Sequence, residues 1–261
     1  MAGSWRAIVR LTRLLGHVLR GAITARTQLP AMSADARAQL VESWAQGFLA
    51  RAGVTLRIQG QPCTQGPVLL VANHQSWLDI PTLHAGHSCR FVSKAEIARW
   101  PIVGRLAAAA GTLFIQRGSR RDTQRIVQAM VQALQAGDMV TVFPEGTVGN
   151  GRDLLPFHGN TLQAAIDADV PVQPVAMTFV DAHTGQASYL PCEAYLDEPM
   201  LRSLWRTLQS QGLVAVVHYG TPEKSQGRDR RTWARDLQQR VEALRQASAP
   251  RRDQSDVSVA P

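Results

Sequence analysis

Val68-Leu69-Leu70-Val71-Ala72, running directly into Asn73-His74-Gln75-Ser76-Trp77-Leu78-Asp79, is the stretch on which the reading of this chain turns. The five apolar residues read as a strand, and Asp79-Ile80-Pro81 reads as the opening of a helix, because proline is tolerated in a first helical turn. A histidine and an aspartate five positions apart stand roughly 140° apart on a helix and on opposite faces of a strand. Only a turn that leaves a strand and enters a helix brings His74 to Asp79. Ligand sites of α/β sheets lie beyond the carboxyl ends of strands, where such a turn sits. Two readings stay open at this point. In one, Asp79 caps the helix and His74 is a solvated loop residue, capping being a common use of aspartate. In the other, Asp79 fixes the His74 tautomer and steadies the imidazolium formed when His74 takes a proton, a task that suits histidine near neutrality.

Outward from this junction, short β-like runs alternate with helical patterns. Strands are expected at 54–58, 68–72, 90–93, 112–115, 139–143, 172–179, 188–190 and 213–219. The clearest intervening helix is 121–136, where Ile126, Val127, Met130, Val131 and Leu134 share one face. A last helix over 229–247 repeats Trp233, Leu237, Val241 and Leu244 at core spacing. This alternation predicts an α/β fold with a mixed, mostly parallel sheet flanked by helices. Ahead of it, residues 5–25 are amphipathic, with Arg6, Arg10, Arg13, His17 and Arg20 as a basic stripe opposite Ile8, Leu11, Leu15, Val18, Leu19 and Ile23. A second amphipathic pattern over 34–52 carries Trp44 and Phe48. Such helices suit a membrane interface, apolar face down and arginines toward anionic head groups, as well as packing on their own domain. The expected organisation is a membrane-associating helical segment at 1–53, an α/β domain at 54–247 and a disordered tail at 248–261.

Two further motifs close strands. G-T-L-F-I-Q-R at 111–117 delivers Arg117, able to grip a phosphate or carboxylate, although a solvated basic turn is the plainer reading of it alone. V-F-P-E-G-T at 142–147 offers Glu145 to order an arginine or a substrate hydroxyl, Gly146 for a positive φ and Thr147 for a hydroxyl; Gly149-Asn150-Gly151 beyond it suggests a flexible lip. If the strands are parallel, all three motifs gather on one rim. The net charge of +8 favours anionic partners, a phospholipid surface or a phosphorylated substrate, and no nucleic-acid-binding motif accompanies it. Three scattered cysteines argue against a disulfide framework and for a reducing compartment. No apolar stretch is long enough to span a bilayer. His84 and His87 lack further ligands at metal-binding spacing, and G-H-S-C-R at 86–90 has Arg90 where a nucleophile elbow needs its second glycine.

Four blocks in order carry a resemblance: N-H-Q-S-W-L-D, G-T-L-F-I-Q-R, F-P-E-G-T, and V-P-V-Q-P-V at 170–175. Together with Lys94, Glu96, Pro101 and Gly104 they resemble the glycerolipid acyltransferase family, the 1-acyl-sn-glycerol-3-phosphate and lysophospholipid acyltransferases, over about residues 55–220. The resemblance implies transfer of a fatty acyl group from an acyl-CoA or acyl-carrier-protein thioester to a lysolipid hydroxyl. It places that reaction at an anionic membrane surface, the cytoplasmic face of the inner membrane, and needs no cofactor or metal. It further implies catalytic roles for His74 and Asp79, and substrate binding by Arg117, Glu145, Gly146, Thr147 and Lys94. The acceptor implied first is 1-acyl-sn-glycerol-3-phosphate, giving phosphatidic acid. Where the family often carries an arginine after F-P-E-G-T this chain has Val148, and where a basic residue often precedes the later glycine it has His158. Those departures keep lyso-ornithine lipid, or another lysophospholipid, open as acceptor. The non-enzymatic reading is a basic membrane-binding module.

Overall fold

The computed structural model describes residues 2–116, 119–192 and 199–248. Two helices, α1 (Ala2–Thr27) and α2 (Ala34–Ala52), lead into β1 (Val54–Gln59), β2 (Val68–Ala72), α3 (Asp79–Gly86) and β3 (Arg90–Lys94). There follow α4 (Val103–Ala109), β4 (Leu113–Ile115), α5 (Arg120–Gln135), β5 (Met139–Val142), α6 (Gln163–Asp167) and β6 (Val172–Asp181). The chain finishes with α7 (Met200–Gln209), β7 (Leu213–Tyr219) and α8 (Arg230–Ser248). The strands form one seven-stranded sheet in the order β1-β7-β6-β2-β5-β3-β4. β6, β2, β5, β3 and β4 run parallel. β7 is antiparallel to β6, and β1 is parallel to β7, so this pair runs the other way. The mixed, mostly parallel sheet expected from the sequence is therefore present.

Every residue of β2 is buried because helices cover both faces of the sheet. On one face Leu69 and Val71 meet Met130 and Leu134 of α5 and Trp233 and Leu237 of α8. On the other, Val68, Leu70 and Ala72 pack with Leu83 of α3, Phe91 and Met177. Ser119 and Asp122 close a capping box at the start of α5. A third cluster joins Ala7 and Leu14 of α1, Ala45 and Leu49 of α2, Leu208 of α7 and Leu213 of β7.

Two expectations are corrected. The run 188–190 is not a strand: Ala187 makes an isolated bridge to Val180, and the Ser188 N–H donates to the Phe179 carbonyl at 2.8 Å. β6 offers that edge only beyond the end of β2, and the chain then leaves it toward Ser76, whose hydroxyl donates to the Pro191 carbonyl at 2.6 Å. Ser248 belongs to α8 rather than to a tail, its hydroxyl lying 2.9 Å from His218 Nδ1 and 3.1 Å from Gln59 Oε1. The remainder of the expected tail, 249–261, lies outside the described residues.

α1 packs on its own domain through part of its basic stripe: Arg6 donates to the carbonyls of Gln209 and Ser210, and Arg10 to those of Leu208 and Ser210, while Arg13 and Arg20 are exposed. The last carbonyls of a helix lack intrahelical donors and carry partial negative charge, so the end of α7 attracts these guanidinium groups. His17 also turns inward, stacked on Trp44 with its Nε2 2.8 Å from the Trp44 carbonyl. Gly21 allows this close approach, since a Cβ there would lie 2.2 Å from the Trp44 indole nitrogen. Docked by this face, α1 leaves its apolar stripe outside: Trp5, Ile8, Leu15, Leu19 and Ile23 are between 49% and 69% exposed. Among the described residues, no helix is long and apolar enough to cross a membrane.

Candidate active site

Parallel pairing puts the carboxyl ends of β2, β5, β3 and β4 on one edge, with Val71 beside Val142, Phe91 beside Thr141 and Lys94 beside Ile115. The turn after β2 is fixed first by polar side chains. Asn73 pairs with both main-chain groups of Met177, donating through Nδ2 at 3.1 Å and accepting through Oδ1 at 2.7 Å. Gln75 Nε2 donates to the same Met177 carbonyl at 2.8 Å. Asp79, wholly buried, occupies the first position of α3 and reaches back across the turn. Its Oδ2 accepts the N–H of Gln75 at 2.7 Å and of Ser76 at 2.9 Å, and lies 2.8 Å from His74 Nδ1. One oxygen thus holds the turn and grips the histidine; it caps no helix N–H, since Leu78 is the N-cap of α3 and no side chain caps it. An Nδ1–H donated to this carboxylate leaves His74 Nε2 as the accepting nitrogen.

Glu145 supports His74 from beneath. Its Oε1 accepts the His74 N–H at 2.7 Å and its Oε2 the Leu155 N–H at 2.9 Å, so the carboxylate serves the backbone where an arginine or a substrate hydroxyl was expected. Burial raises its pKa above the ordinary carboxylate range, with the two amide hydrogen bonds and His74 pulling the other way. The imidazole of His74 stacks on Phe143 at a centroid distance of 4.1 Å, and Phe143 stacks in turn on Phe91 at 5.8 Å, an aromatic floor under the ring. Gly146 has the expected positive φ, 72°, and His158 closes over it, with Cδ2 3.7 Å from where a Cβ would stand. Thr147 and Lys94 are exposed on the same edge, at the ends of the β5 and β3 segments. Arg117 lies outside the described residues.

The lip at Gly149-Asn150-Gly151, expected to be flexible, is pinned. The Gly149 N–H donates to the His74 carbonyl at 2.7 Å, Asn150 Oδ1 accepts from the N–H groups of Arg152 and Asp153, and Arg245 holds the Gly151 carbonyl. Sequence reasoning missed Asn73, Phe143 and Leu155. A polar residue directly after a fully apolar strand was the one available signal for Asn73; the other two depend on the fold. Ser88 precedes β3, at the opposite end of the sheet from a nucleophile elbow, and its N–H donates to Glu42. His84 is buried edge-on to Phe91, and His87 faces Glu42 at 3.1 Å.

Residues 54–178 match the family described as Acyltransferase. A lyso-ornithine lipid O-acyltransferase from Pseudomonas aeruginosa is 38% identical over 254 residues, covering 94% of this chain and 96% of that protein. A 1-acyl-sn-glycerol-3-phosphate acyltransferase from Neisseria meningitidis is 37% identical over 187 residues, 71% of this chain and 72% of that one. The crystal structure of the 1-acyl-sn-glycerophosphate acyltransferase PlsC from Thermotoga maritima shares the fold, with a TM-score of 0.63 at 20% identity over 92% of this chain and 96% of the other. A relative this similar along nearly the whole of both chains, joined to a histidine–aspartate pair on the rim of the same fold, identifies the chain as a member of the acyltransferase family.

Proposed function

We propose that this protein is an O-acyltransferase that moves a fatty acyl group from an acyl-CoA or acyl-carrier-protein thioester to the free hydroxyl of a lysolipid. The observation that carries the chemistry is the 2.8 Å contact between His74 Nδ1 and the wholly buried Asp79, which leaves Nε2 to act. His74 Nε2 takes the acceptor O–H proton while the oxygen attacks the thioester carbonyl. The tetrahedral intermediate then collapses, its C–S bond breaks, and the departing thiolate takes the proton back from Nε2. Asp79 stabilises the imidazolium between the two transfers. Glu145 fixes the His74 backbone, and Arg117, Lys94, Gly146 and Thr147 serve substrate binding. The amides of His74, Gln75 and Ser76 are already engaged, so oxyanion donors come from elsewhere on the rim. No cofactor takes part.

The acceptor favoured first is 1-acyl-sn-glycerol-3-phosphate. Lyso-ornithine lipid is a second reading, favoured by the near full-length similarity to the Pseudomonas aeruginosa protein and by Val148 and His158 in the motif positions. Membrane association follows from the facing of α1, whose exposed tryptophan, leucines and isoleucines form a stripe suited to the lipid interface at the cytoplasmic face. The test is product mass spectrometry with purified protein, a lysolipid panel and both donor types. Acyl transfer by the wild type and its loss in His74→Ala is the expected result. A wild type that binds vesicles and transfers nothing would leave only the membrane-binding reading.

A further inference from the structure

Beside the rim lies a cleft of about 540 Å³, lined by Phe157, His158, Gly159 and Asn160 on one wall and Arg230, Arg231 and Arg235 on the other. No acidic residue lines it. The two walls meet backbone to backbone: a Cβ on Gly159 would lie 2.4 Å from the Arg230 carbonyl oxygen, so only glycine lets the loop sit this close to the start of α8. The same loop is joined to the candidate site, since the His158 N–H donates to the Pro144 carbonyl at 2.9 Å and the His158 ring covers Gly146.

The arginines of this region sort into two sets. Arg228 pairs with Glu223 and Asp236, Arg240 with Glu223, and Arg245 with Glu242. Arg230, Arg231 and Arg235, which line the cleft, make no contact-distance ion pair and no side-chain hydrogen bond among the described residues, Arg235 interacting only at longer range with Asp229. Three guanidinium groups turned into one concavity repel each other, and the exposed Asp229 carboxylate, which interacts with Arg235, offsets only part of that charge. An anion with several oxygens offsets that cost, because it accepts from all of them at once. The adjoining motif positions carry Val148 and His158, so α8 supplies positive charge beside a lip that lacks it.

We infer that this cleft seats a phosphate monoester of a substrate, its oxygens held by Arg230, Arg231 and Arg235 with Asn160 and His158 at its edge. Such a group occurs in a lysophosphatidate head group and as the 3′-phosphate of an acyl-CoA donor. The inference rests on the acyl-transfer reading for its substrates, and its test separates the two. In the variant Arg230→Ala/Arg231→Ala/Arg235→Ala, KM for the phosphate-bearing substrate is expected to rise about tenfold or more, with kcat at saturation kept within about twofold. A rise with lysophosphatidate, absent with lyso-ornithine lipid, assigns the acceptor phosphate. A rise with acyl-CoA, absent with its 3′-dephospho form, assigns the donor. Independently of transfer, inorganic phosphate at matched ionic strength is expected to raise the Tm of the wild type and not of the triple variant. Unchanged KM values in an active variant, or an equal Tm response in both proteins, overturn the cleft and leave the acyltransferase reading standing. A wild type inactive on every substrate, with its phosphate-dependent Tm shift intact, overturns the acyltransferase reading and leaves the cleft.

Discussion

Glu145→Gln separates a residue that positions the histidine from one that touches substrate. The carboxylate spans two backbone amides, His74 at 2.7 Å and Leu155 at 2.9 Å, and is only 5% exposed. Glutamine has the same length but one accepting oxygen, so its amide nitrogen must meet one of these N–H groups donor to donor. Losing one charge-assisted hydrogen bond costs on the order of 1.5–3 kcal/mol. Working against that, burial holds the pKa of Glu145 up, which means the folded protein carries an ionised group it would rather keep neutral. The neutral glutamine is relieved of that cost, so the two terms partly offset and the global stability falls by only about 1 kcal/mol. Activity has no such compensation. A shift of His74 by a fraction of an ångström to about 1 Å removes roughly 10²-fold from the rate. The expected outcome is therefore kcat about 10²-fold lower, both KM values within about threefold of wild type, and a small Tm change. The assay follows thiol release from acyl-CoA over a matrix of donor and acceptor concentrations, with thermal unfolding measured on the same samples. A variant whose loss falls wholly in acceptor KM, with kcat intact, would refute the positioning argument and return Glu145 to substrate binding.

Further expectations follow from the same geometry. Asp79→Asn removes the charge that receives His74 and two amides, and kcat should fall by about 10³–10⁴-fold with KM little changed, as steady-state kinetics will read; a fall below tenfold is the contrary result. His84 is fully buried and its pKa is lowered to about 4 by burial. The unfolded chain therefore binds a proton that the folded chain refuses as pH drops below the ordinary value of 6.5, and stability present above that value is lost toward pH 4. Between pH 7 and pH 5 this group should account for about 2 kcal/mol of the wild-type loss. His84→Leu should flatten that slope in denaturant melts, and an unchanged slope would count against it. Leu15→Glu/Leu19→Glu, both on the exposed stripe of α1, should weaken vesicle partition by about 10²-fold without lowering Tm; unchanged partition rejects the membrane role.

The sheet was legible because burial leaves a local trace. β2 is apolar at every position since both faces are covered, and the period of α5 and α8 marks the sides that pack on it. The joining of His74 to Asp79 was legible as well, since a strand-to-helix turn is short enough to be reasoned from spacing. Roles that depend on distant partners were not. Nothing near Glu145 announces that the N–H of Leu155 comes back to it, and a glutamate after a buried strand reads equally as a ligand for substrate. The lip was misread for the same reason: glycines signal freedom, but Gly151 is small because Gln75 and Cys192 crowd it, its absent Cβ lying 3.0 Å from Gln75 Oε1 and 2.8 Å from the cysteine sulfur. Periodicity found two stripes on α1 and could not say which faces in, because the carbonyls that draw Arg6 and Arg10 inward lie about two hundred residues away.

The facing of α1 bears on how the proposed substrate arrives. Docked through Arg6, Arg10, Ala7, Leu11 and Leu14, α1 leaves Trp5, Ile8, Leu15, Leu19 and Ile23 exposed on its other side. α1 runs beside α4, and α4 is reached through the short 3₁₀ turn Ala95–Arg99 that continues from the carboxyl end of β3. Trp100, Ile102 and Val103, at that junction, are 42%, 41% and 47% exposed. The outward apolar side chains therefore extend from the N-terminal helix to the edge of the sheet that carries His74. A lysolipid keeps its acyl chain in the bilayer and its hydroxyl at the interface, so a site on the lipid-facing edge needs only to reach the interface, not to extract its substrate. On the proposed reading, the arginine-lined cleft on the side of His158 and α8 meets the charged end of a substrate while the apolar side chains meet lipid. The proposed division of labour runs across the rim: lipid contact from α1 and the start of α4, proton transfer at the end of β2, and charge recognition at the start of α8.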